Sequence, residues 1–328
     1  MTASNASTAP DATHSRLEHY PVTFFASVMG ISGLSLALHA AETTYAWGAM
    51  ASGTVFVVAA MLFVVVATGY ALKGLRYPRA VAAEWHHPVR LSFFPAISIS
   101  LLLLATCSLT TYAAMAQALW LIGMVLQGVL TIAVISGWIG ARSFMAGHLN
   151  PAWFIPAVGN VIVPIAGVPL GYVELSWYFM SVGLIFWIIL VTLVVNRLIF
   201  HDPIPARLQP TLVILIAPPA VAFVAWTRLV GDVDAFGRLL LNCAYLFTLV
   251  VAVQLPRIVR LPFAMSFWAL SFPFAAVTIA SFVYAGHIGS LVHQTIGTGL
   301  LIVLIVVIAA LIFRTLRAIR AGELCVPE

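Results

Sequence analysis

Charged residues are scarce in this sequence. Only 8% of the 328 residues are Asp, Glu, Lys or Arg, whereas 62% are hydrophobic, and the mean hydropathy is +1.08. A soluble domain of this length would have too few polar side chains to cover its surface. The composition therefore excludes a soluble globular protein and predicts an all-α protein that crosses a membrane several times.

Cysteine is also rare, and the usual signatures of catalysis are missing. Cys107, Cys243 and Cys325 are far apart and form no CxxC pair, which favours isolated small side chains over a disulfide or a metal site. The sequence has no HExxH, no GxSxG, no phosphate-binding loop and no pair of carboxylates within an apolar segment. We therefore expect no enzymatic activity, no bound metal and no cofactor.

Ten apolar segments are each long enough to cross the hydrocarbon core of a bilayer, which requires about 20 residues. They are residues 20–40, 45–72, 90–110, 113–140, 153–171, 174–197, 209–228, 236–255, 262–284 and 288–314. The sequence thus predicts a transmembrane domain over residues 20–315. A disordered cytoplasmic tail is expected over residues 1–19 and a short cytoplasmic tail over residues 316–328.

Basic residues collect on one face of this arrangement. Of the fifteen Lys and Arg residues, all but Arg228 and Arg238 lie before the first segment or follow an even-numbered one. The positive-inside rule then places both termini in the cytoplasm, which requires an even number of crossings. The excess positive charge is explained by topology, so no nucleic-acid partner is expected.

Prolines separate the ten segments into two classes. Each odd-numbered segment opens with a proline, and the even-numbered segments contain none. The opening prolines recur 52 to 67 residues apart, at Pro21, Pro88, Pro151, Pro210 and Pro262. Kinked backbone at membrane depth is tolerated where it is packed inside protein or lines a wet cavity. We therefore predict five hairpins, each with a kinked inner helix and a straight lipid-facing helix, around a lumen. Close helix packing without a lumen is the alternative reading of the small residues at the inner centres.

The central thirds of the ten segments contain no charged residue. His39, His287 and His293 lie near segment ends, where an interfacial polar role is more common than proton transfer. The neighbours His86 and His87 would point apart, which argues against a metal site. Proton-coupled transport normally needs a titratable group inside the membrane, so this absence favours a passive conduit, with anions as the best-suited solute.

Four motifs resemble the tellurite-resistance/dicarboxylate transporter (TehA) family, which is related to the plant slow-type anion channels. They are AEWHHPVRLSFFPAI (83–97), NPAWFIPAVGN (150–160), LIAPPAVAFVAW (215–226) and FWALSFPFA (267–275). The resemblance extends from about residue 20 to 315. It implies ten helices in five hairpins with quasi-fivefold symmetry around a central pore. It also implies a homotrimer with one pore per subunit, in the inner membrane of a bacterium.

Phe272 is the residue to which the resemblance gives a role. A phenylalanine in a W-A-x-x-F context on the ninth helix plugs the pore in this family, and Trp268 to Phe272 match that pattern. Without the resemblance, Phe272 beside Pro273 would be either a gate or an ordinary packed aromatic residue.

Further site residues are predicted from depth and small size, together with the basic residues at the cytoplasmic mouth. The predicted pore-lining residues are Gly30, Gly33, Ser98, Gly159, Asn160, Ala217, Pro218 and Pro273, and the predicted mouth residues are His87 and Arg90. Arginines at the mouth would raise the local concentration of anions.

Two functions remain open at this point. The first is a gated anion channel for chloride- or nitrate-like ions, with small anions and membrane lipid as its partners. The second is a secondary transporter that exports C4-dicarboxylates, sulfite or tellurite-related anions. A pH-dependent, saturable flux would favour the transporter.

Overall fold

A computed structural model of the chain describes residues 15–140 and 144–326, which form helices and no strand. The α-helices are α1 (Phe25–Thr44), α2 (Met50–Arg76), α3 (Pro78–His86), α4 (Ala96–Ser108), α5 (Ala113–Ile139), α6 (Phe154–Val158), α7 (Val163–Gly167), α8 (Val173–Phe200), α9 (Ala217–Val230), α10 (Ala235–Ile258), α11 (Ser271–Ile288) and α12 (Leu291–Arg320). The first fourteen residues of the predicted N-terminal tail, Arg142 of the predicted basic face, and residues 327–328 lie outside the described residues.

Nine helical stretches in the described part of the chain are long and apolar enough to cross a membrane. Four of them begin with a 3-10 segment that continues directly, or after a short turn, into an α-helix. These 3-10 segments are Val22–Phe24, Arg90–Phe93, Ala206–Ile216 and Met265–Leu270. The chain is thus an all-helical membrane protein.

The predicted fifth crossing is not one helix. Between Pro151 and Gly167 the chain forms a 3-10 turn (Pro151–Trp153), α6, a second 3-10 turn (Gly159–Ile162) and α7. Prolines lack the backbone donor that a continuous α-helix needs, and this stretch contains several of them, which accounts for its division. The count of ten crossings therefore stays a prediction.

Burial divides the stretches into two classes. In the apolar core of Val22–Thr44, Arg90–Ser108, Ala206–Val230 and Met265–Ile288, 72%, 83%, 78% and 83% of residues are buried. The corresponding values for α2, α5, α8, α10 and α12 are 11%, 33%, 28%, 22% and 28%. Together with the mostly buried Pro151–Gly167, the first class forms what we call the inner ring. The second class presents apolar side chains outward, as lipid-facing helices do.

Contacts between helices close the inner ring. α1 packs against α4, α4 against α7, α7 against α9, α9 against α11, and α11 against α1. Each inner stretch also packs against the outer helix that follows it in the chain, as α1 does with α2 and α11 with α12. The chain therefore folds as successive hairpins of one inner and one outer element. Fivefold symmetry stays a prediction.

Tight turns join the last two hairpins. Gly231 and Gly289 end α9 and α11 with left-handed backbone (φ 84° and 69°), which glycine adopts without steric cost. Asp234 and Ser290 then cap α10 and α12 through their side chains. The backbone N–H of Gly237 donates to Asp234 at 2.7 Å and thereby lowers the pKa of that carboxyl.

Two features differ from the sequence-based expectations. α10 runs to Ile258, three residues beyond the predicted segment 236–255, and the outer helix therefore contains Pro256. The proline is accommodated in the last turn, at the end of the crossing. In addition, α3 is a short helix between the first two hairpins, where only a loop was expected.

Candidate functional site

A cavity of about 60 Å³, part of it open to the outside, lies within the inner ring. All five inner stretches contribute to its wall. Representative lining residues are Met29, Phe93, Gly159, Ala217, Pro218 and Phe272. The cavity is therefore a property of the whole ring rather than of a single helix pair.

The cavity lies where the inner stretches change from 3-10 to α-helix. Pro95 directly precedes α4, Pro218 lies in the first turn of α9, and Pro273 lies in the first turn of α11. A first-turn proline costs no backbone hydrogen bond, so the α-helix can begin at that residue. Pro273, which was predicted in the interior of a kinked helix, instead follows a helix start.

The lining is almost entirely apolar. The side chains that line the cavity are those of Ala, Val, Ile, Met, Phe, Trp, Gly and Pro, and among these described residues none carries a charge, a hydroxyl or an amide. An ion in such a cavity gains little from side chains and must lose part of its hydration. The cavity thus suits transient passage of weakly hydrated ions better than tight binding.

Phe272 lies on this cavity with its ring only partly buried, beside Trp268, Ala269 and Pro273. Behind it, a Cβ placed on Gly33 would lie 3.4 Å from Cδ2 of Phe272. The absence of a side chain at Gly33 therefore lets α1 approach α11 at the level of this ring.

Four of the eight predicted pore-lining residues, and the predicted gate, line the cavity. Gly159, Ala217, Pro218, Phe272 and Pro273 line the cavity. The others, Gly30, Gly33, Ser98 and Asn160, are not among its lining residues. Gly30 packs against Ser271 and Trp268, and Gly33 against Ala275, because both glycines serve the close contact between α1 and α11. Whether any of these residues lines a conducting pore stays a prediction.

Ser98 and Asn160 belong to a buried polar network that joins the inner ring to α5. Ser98 donates a hydrogen bond to Gln127 Oε1 at 2.7 Å, and Asn160 Nδ2 donates to Thr131 Oγ1 at 3.0 Å. The carbonyl oxygen of Pro156 accepts from Thr131 Oγ1 at 2.9 Å and from Gln127 Nε2 at 3.2 Å. Side chains of α5 thus satisfy a carbonyl near the break between α6 and α7.

Sequence reasoning missed Gln127 and Thr131. Both are buried, although α5 as a whole faces outward. A signal was present, since two polar residues four positions apart on an apolar helix occupy one face. Only the fold shows that this face meets Pro156.

We expect Thr131→Val to destabilise the protein by about 0.5–1.5 kcal/mol, because it removes one of the donors to the buried Pro156 carbonyl, which keeps its bond from Gln127, while the side-chain shape is retained. Thermal unfolding in detergent would measure the change. Thr192→Val is the matched control, because Thr192 is exposed and bonds only within its own helix. Equal unfolding temperatures for the two variants would contradict this role of the network.

The face at which the inner stretches begin carries most of the basic residues, and we call it the basic face. His87 and Arg90 lie there, and Nδ1 of His87 accepts from the backbone N–H groups of Val89 and Arg90, both at 3.2 Å. This arrangement caps the turn that leads into Arg90–Phe93, and Phe93 lines the cavity. His87 thus has a structural role at the position predicted for the mouth.

A buried ion pair anchors the first inner stretch at the basic face. Lys73 Nζ lies 2.9 Å from Glu84 Oε2, and both side chains are almost fully buried. Lys73 also donates to the carbonyl of Tyr20 at 2.9 Å, and Tyr70 donates to Glu84 at 3.0 Å. The backbone N–H of Val22 donates to Glu84 Oε1 at 3.4 Å. These bonds hold the start of the inner stretch against α2 and α3.

Burial raises the pKa of the Tyr20 hydroxyl to about 12, and the nearby Cys325 thiol adds to this shift. Tyr20 therefore stays neutral at physiological pH. Arg16 lies close to the turn after α12, since a Cβ on Gly322 would be 3.5 Å from its Nη2 atom. The first and last described segments of the chain thus meet beside the buried ion pair.

Comparison with known proteins places this architecture in context. The model of the SLAC1 family, described as a voltage-dependent anion channel, matches residues 19–316. The S-type anion channel SLAH3 of Arabidopsis thaliana is 27% identical over 310 residues, which cover 92% of this chain and 48% of that protein. The alignments thus span about half the length of the plant channels SLAH3 and SLAH2.

Microbial relatives are matched over most of their length. A tellurite resistance protein TehA homolog of Haemophilus influenzae is 28% identical over 272 residues, 82% of each chain. An uncharacterised transporter of Methanocaldococcus jannaschii is 25% identical over 292 residues, 80% of this chain and 84% of that protein. The resemblance read from the four motifs is confirmed by these matches.

Proposed function

This chain belongs to the SLAC1 family of voltage-dependent anion channels, and from that membership we propose that it is a gated, passive conduit for small anions such as chloride and nitrate. The observation that carries the proposal is the cavity enclosed by the inner ring, whose lining side chains include no titratable group among the described residues. Proton-coupled transport would need such a group along the path.

Phe272 is the gate in this proposal. Its partly buried ring lies on the cavity, so it can obstruct the path and can turn without unpacking a fully buried core. A hydrophobic obstruction closes a conduit by filling it or by excluding water. The first line of support is the position of the ring, and the second is the match of Trp268 to Phe272 with the family pattern.

The membrane arrangement is part of the proposal. Ten crossings with quasi-fivefold symmetry are supported by the closed ring of contacts among α1, α4, α7, α9 and α11. The basic face would be cytoplasmic, with both termini on that side, in a bacterial inner membrane. Arg90 and the other basic residues of that face would concentrate anions at the mouth. Assembly as a homotrimer rests on the family resemblance.

A secondary transporter is the second candidate, because relatives include a tellurite resistance protein TehA homolog and an uncharacterised transporter. Export of C4-dicarboxylates, sulfite or tellurite-related anions would then be the activity. A dianion is the least suitable occupant of an apolar cavity without a cationic side chain, since its dehydration is costly. This physical argument favours the conduit for monovalent ions.

Anion efflux from liposomes separates the two functions. We expect an electrogenic flux that rises with anion concentration without saturating in the millimolar range, in the order nitrate, chloride, sulfate. The order follows from the cost of dehydration in an apolar cavity. A proton gradient should leave the flux unchanged, and empty liposomes provide the background. A saturable flux that requires the proton gradient would reject the conduit in favour of the transporter.

A further inference from the structure

The wall of the cavity in the inner ring offers no side-chain partner to a polar ligand. Among its described lining residues, the only side-chain nitrogen or oxygen is the indole Nε1 of Trp268. This atom donates a hydrogen bond to Thr315 Oγ1 on α12 at 3.0 Å, so its donor is already used. A water molecule in a protein interior needs about two to four polar partners, and this wall is therefore poorly suited to hold ordered water.

The size of the cavity limits what can bind in it. An engineered apolar cavity of about 150 Å³ in another protein stays dry and binds benzene or xenon. The volume here is about 60 Å³, which is less than half of that. The space suits a single large atom or a molecule of a few atoms, but it is too small for an aromatic ring.

Polarisable groups surround this space. The rings of Phe93, Phe154 and Phe272 and the thioether of Met29 line it together with aliphatic side chains. Wall atoms that face a void lack van der Waals contacts on that side, and an apolar ligand of matching size restores these contacts. Such a ligand also loses no charged hydration shell, whereas an anion does. An uncharged apolar molecule is therefore the ligand that the wall favours most.

We propose that the cavity of the inner ring binds small uncharged apolar molecules, such as xenon, short alkanes and halogenated methanes, and that a bound molecule blocks the passage of anions. Such molecules can enter through the part of the cavity that is open to the outside. The binding follows from the volume and chemistry of the wall. The block rests on the proposed function, because it requires that anions cross the cavity beside Phe272.

Xenon-pressurised crystals of the full-length protein test the binding, since anomalous scattering locates xenon directly. We expect one xenon site inside the cavity. Ala217→Leu adds bulk to the cavity wall and should lower the xenon occupancy at a given pressure about tenfold or more. Ala252→Leu is the matched control, because Ala252 is exposed on α10 and its substitution should leave the occupancy unchanged. Ala269→Val, also in the wall, serves if Ala217→Leu does not fold.

Replacement of the Phe272 ring by a free one tests the block. Phe272→Ala removes the ring from the cavity wall, and benzene then has a space of its own size. We expect saturating benzene to lower the anion current of Phe272→Ala about fivefold, because it obstructs the path as the ring did. Phe313→Ala is the control for effects of benzene on the bilayer, since Phe313 is exposed on α12 and does not line the cavity. Its current should not respond to benzene.

The outcomes separate the binding site from the proposed function. No xenon in the cavity of the unmodified protein, or ordered water in its place, would overturn the proposal. Equal xenon occupancy in Ala217→Leu and the unmodified protein would do the same, because the wall would then not determine binding. Benzene bound in crystals of Phe272→Ala with an unchanged current would overturn the block and remove the cavity from the anion path. In that case, or if no variant conducts, the proposed function fails, and the xenon crystals alone decide whether the binding site stands.

Discussion

Phe272→Ala should raise the anion current through a planar bilayer by about tenfold or more, because the Phe272 ring is the side chain that obstructs the path in the proposed closed state. Removing it leaves a methyl group in a cavity whose other walls stay in place. The current should remain reversible and anion-selective, with nitrate ahead of chloride, since the apolar lining is unchanged. Single-channel recording would show the effect as larger conductance, higher open probability, or both.

The control for this experiment is Phe313→Ala, which removes the same ring from α12. Phe313 is 67% exposed on an outer helix and is not among the lining residues of the cavity. Its substitution should leave the current at the level of the unmodified protein. A current that stays at background in Phe272→Ala, although the protein folds, would remove Phe272 from the role of gate. The same rise in both variants would point to a general loosening of the helices.

The second large effect concerns the buried ion pair at the basic face. Lys73→Met should lower the free energy of unfolding by about 3–5 kcal/mol, because Glu84 would remain buried and charged without its cation. Glu84→Gln should lower it by a similar amount for the converse reason. The double variant should recover much of the loss, since no unpaired charge is left. Thermal unfolding of the four proteins in detergent provides this double-mutant cycle.

Arg79→Met is the control, because Arg79 is exposed on α3 and should contribute less than about 1 kcal/mol. Additive effects of the two single variants would show that the two charges are not coupled. The pair would then lose its assigned role in fixing the start of the first inner stretch.

The division into inner and outer helices could be predicted from the sequence because it follows from a local rule. Proline restricts its own backbone, so the prolines mark kinked stretches without reference to the rest of the fold. The burial of Val22–Thr44 and Met265–Ile288, compared with the exposure of α2 and α12, agrees with that prediction. The family resemblance was available for the same reason, since its motifs surround these prolines.

Other features depend on contacts between residues that are distant in the sequence, so they could not be predicted from the local sequence. The partners Gln127 and Pro156 are 29 positions apart, and nothing in either segment indicates the other. The division of Pro151–Gly167 into four short helices depends on such partners as well as on its prolines. Lys73 and Glu84 lie between the second and third predicted segments, and the unpredicted helix α3 brings them together.

Small size did not predict which residues line the cavity. Gly30, Gly33, Ser98 and Asn160 are not among its lining residues, and they contact neighbouring helices. Successive residues of an α-helix point about 100° apart, so an uncertain helix start leaves the facing side undetermined. Here the 3-10 segments made the start of each α-helix uncertain, because a residue of a 3-10 helix turns the chain by a larger angle than a residue of an α-helix does.

If a 3-10 segment changed to α-helix, both its length and the rotation at its end would change. A 3-10 helix rises about 2.0 Å per residue with three residues per turn, whereas an α-helix rises about 1.5 Å with 3.6. If the six residues Met265–Leu270 changed to α-helix, the stretch would shorten by about 3 Å and its end would turn by about 120°. Phe272 lies just beyond that end. A displacement that shortened this stretch, which begins beside the hydrogen bond from Ser266 to the carbonyl of Arg207, would therefore also rotate the backbone that carries Phe272.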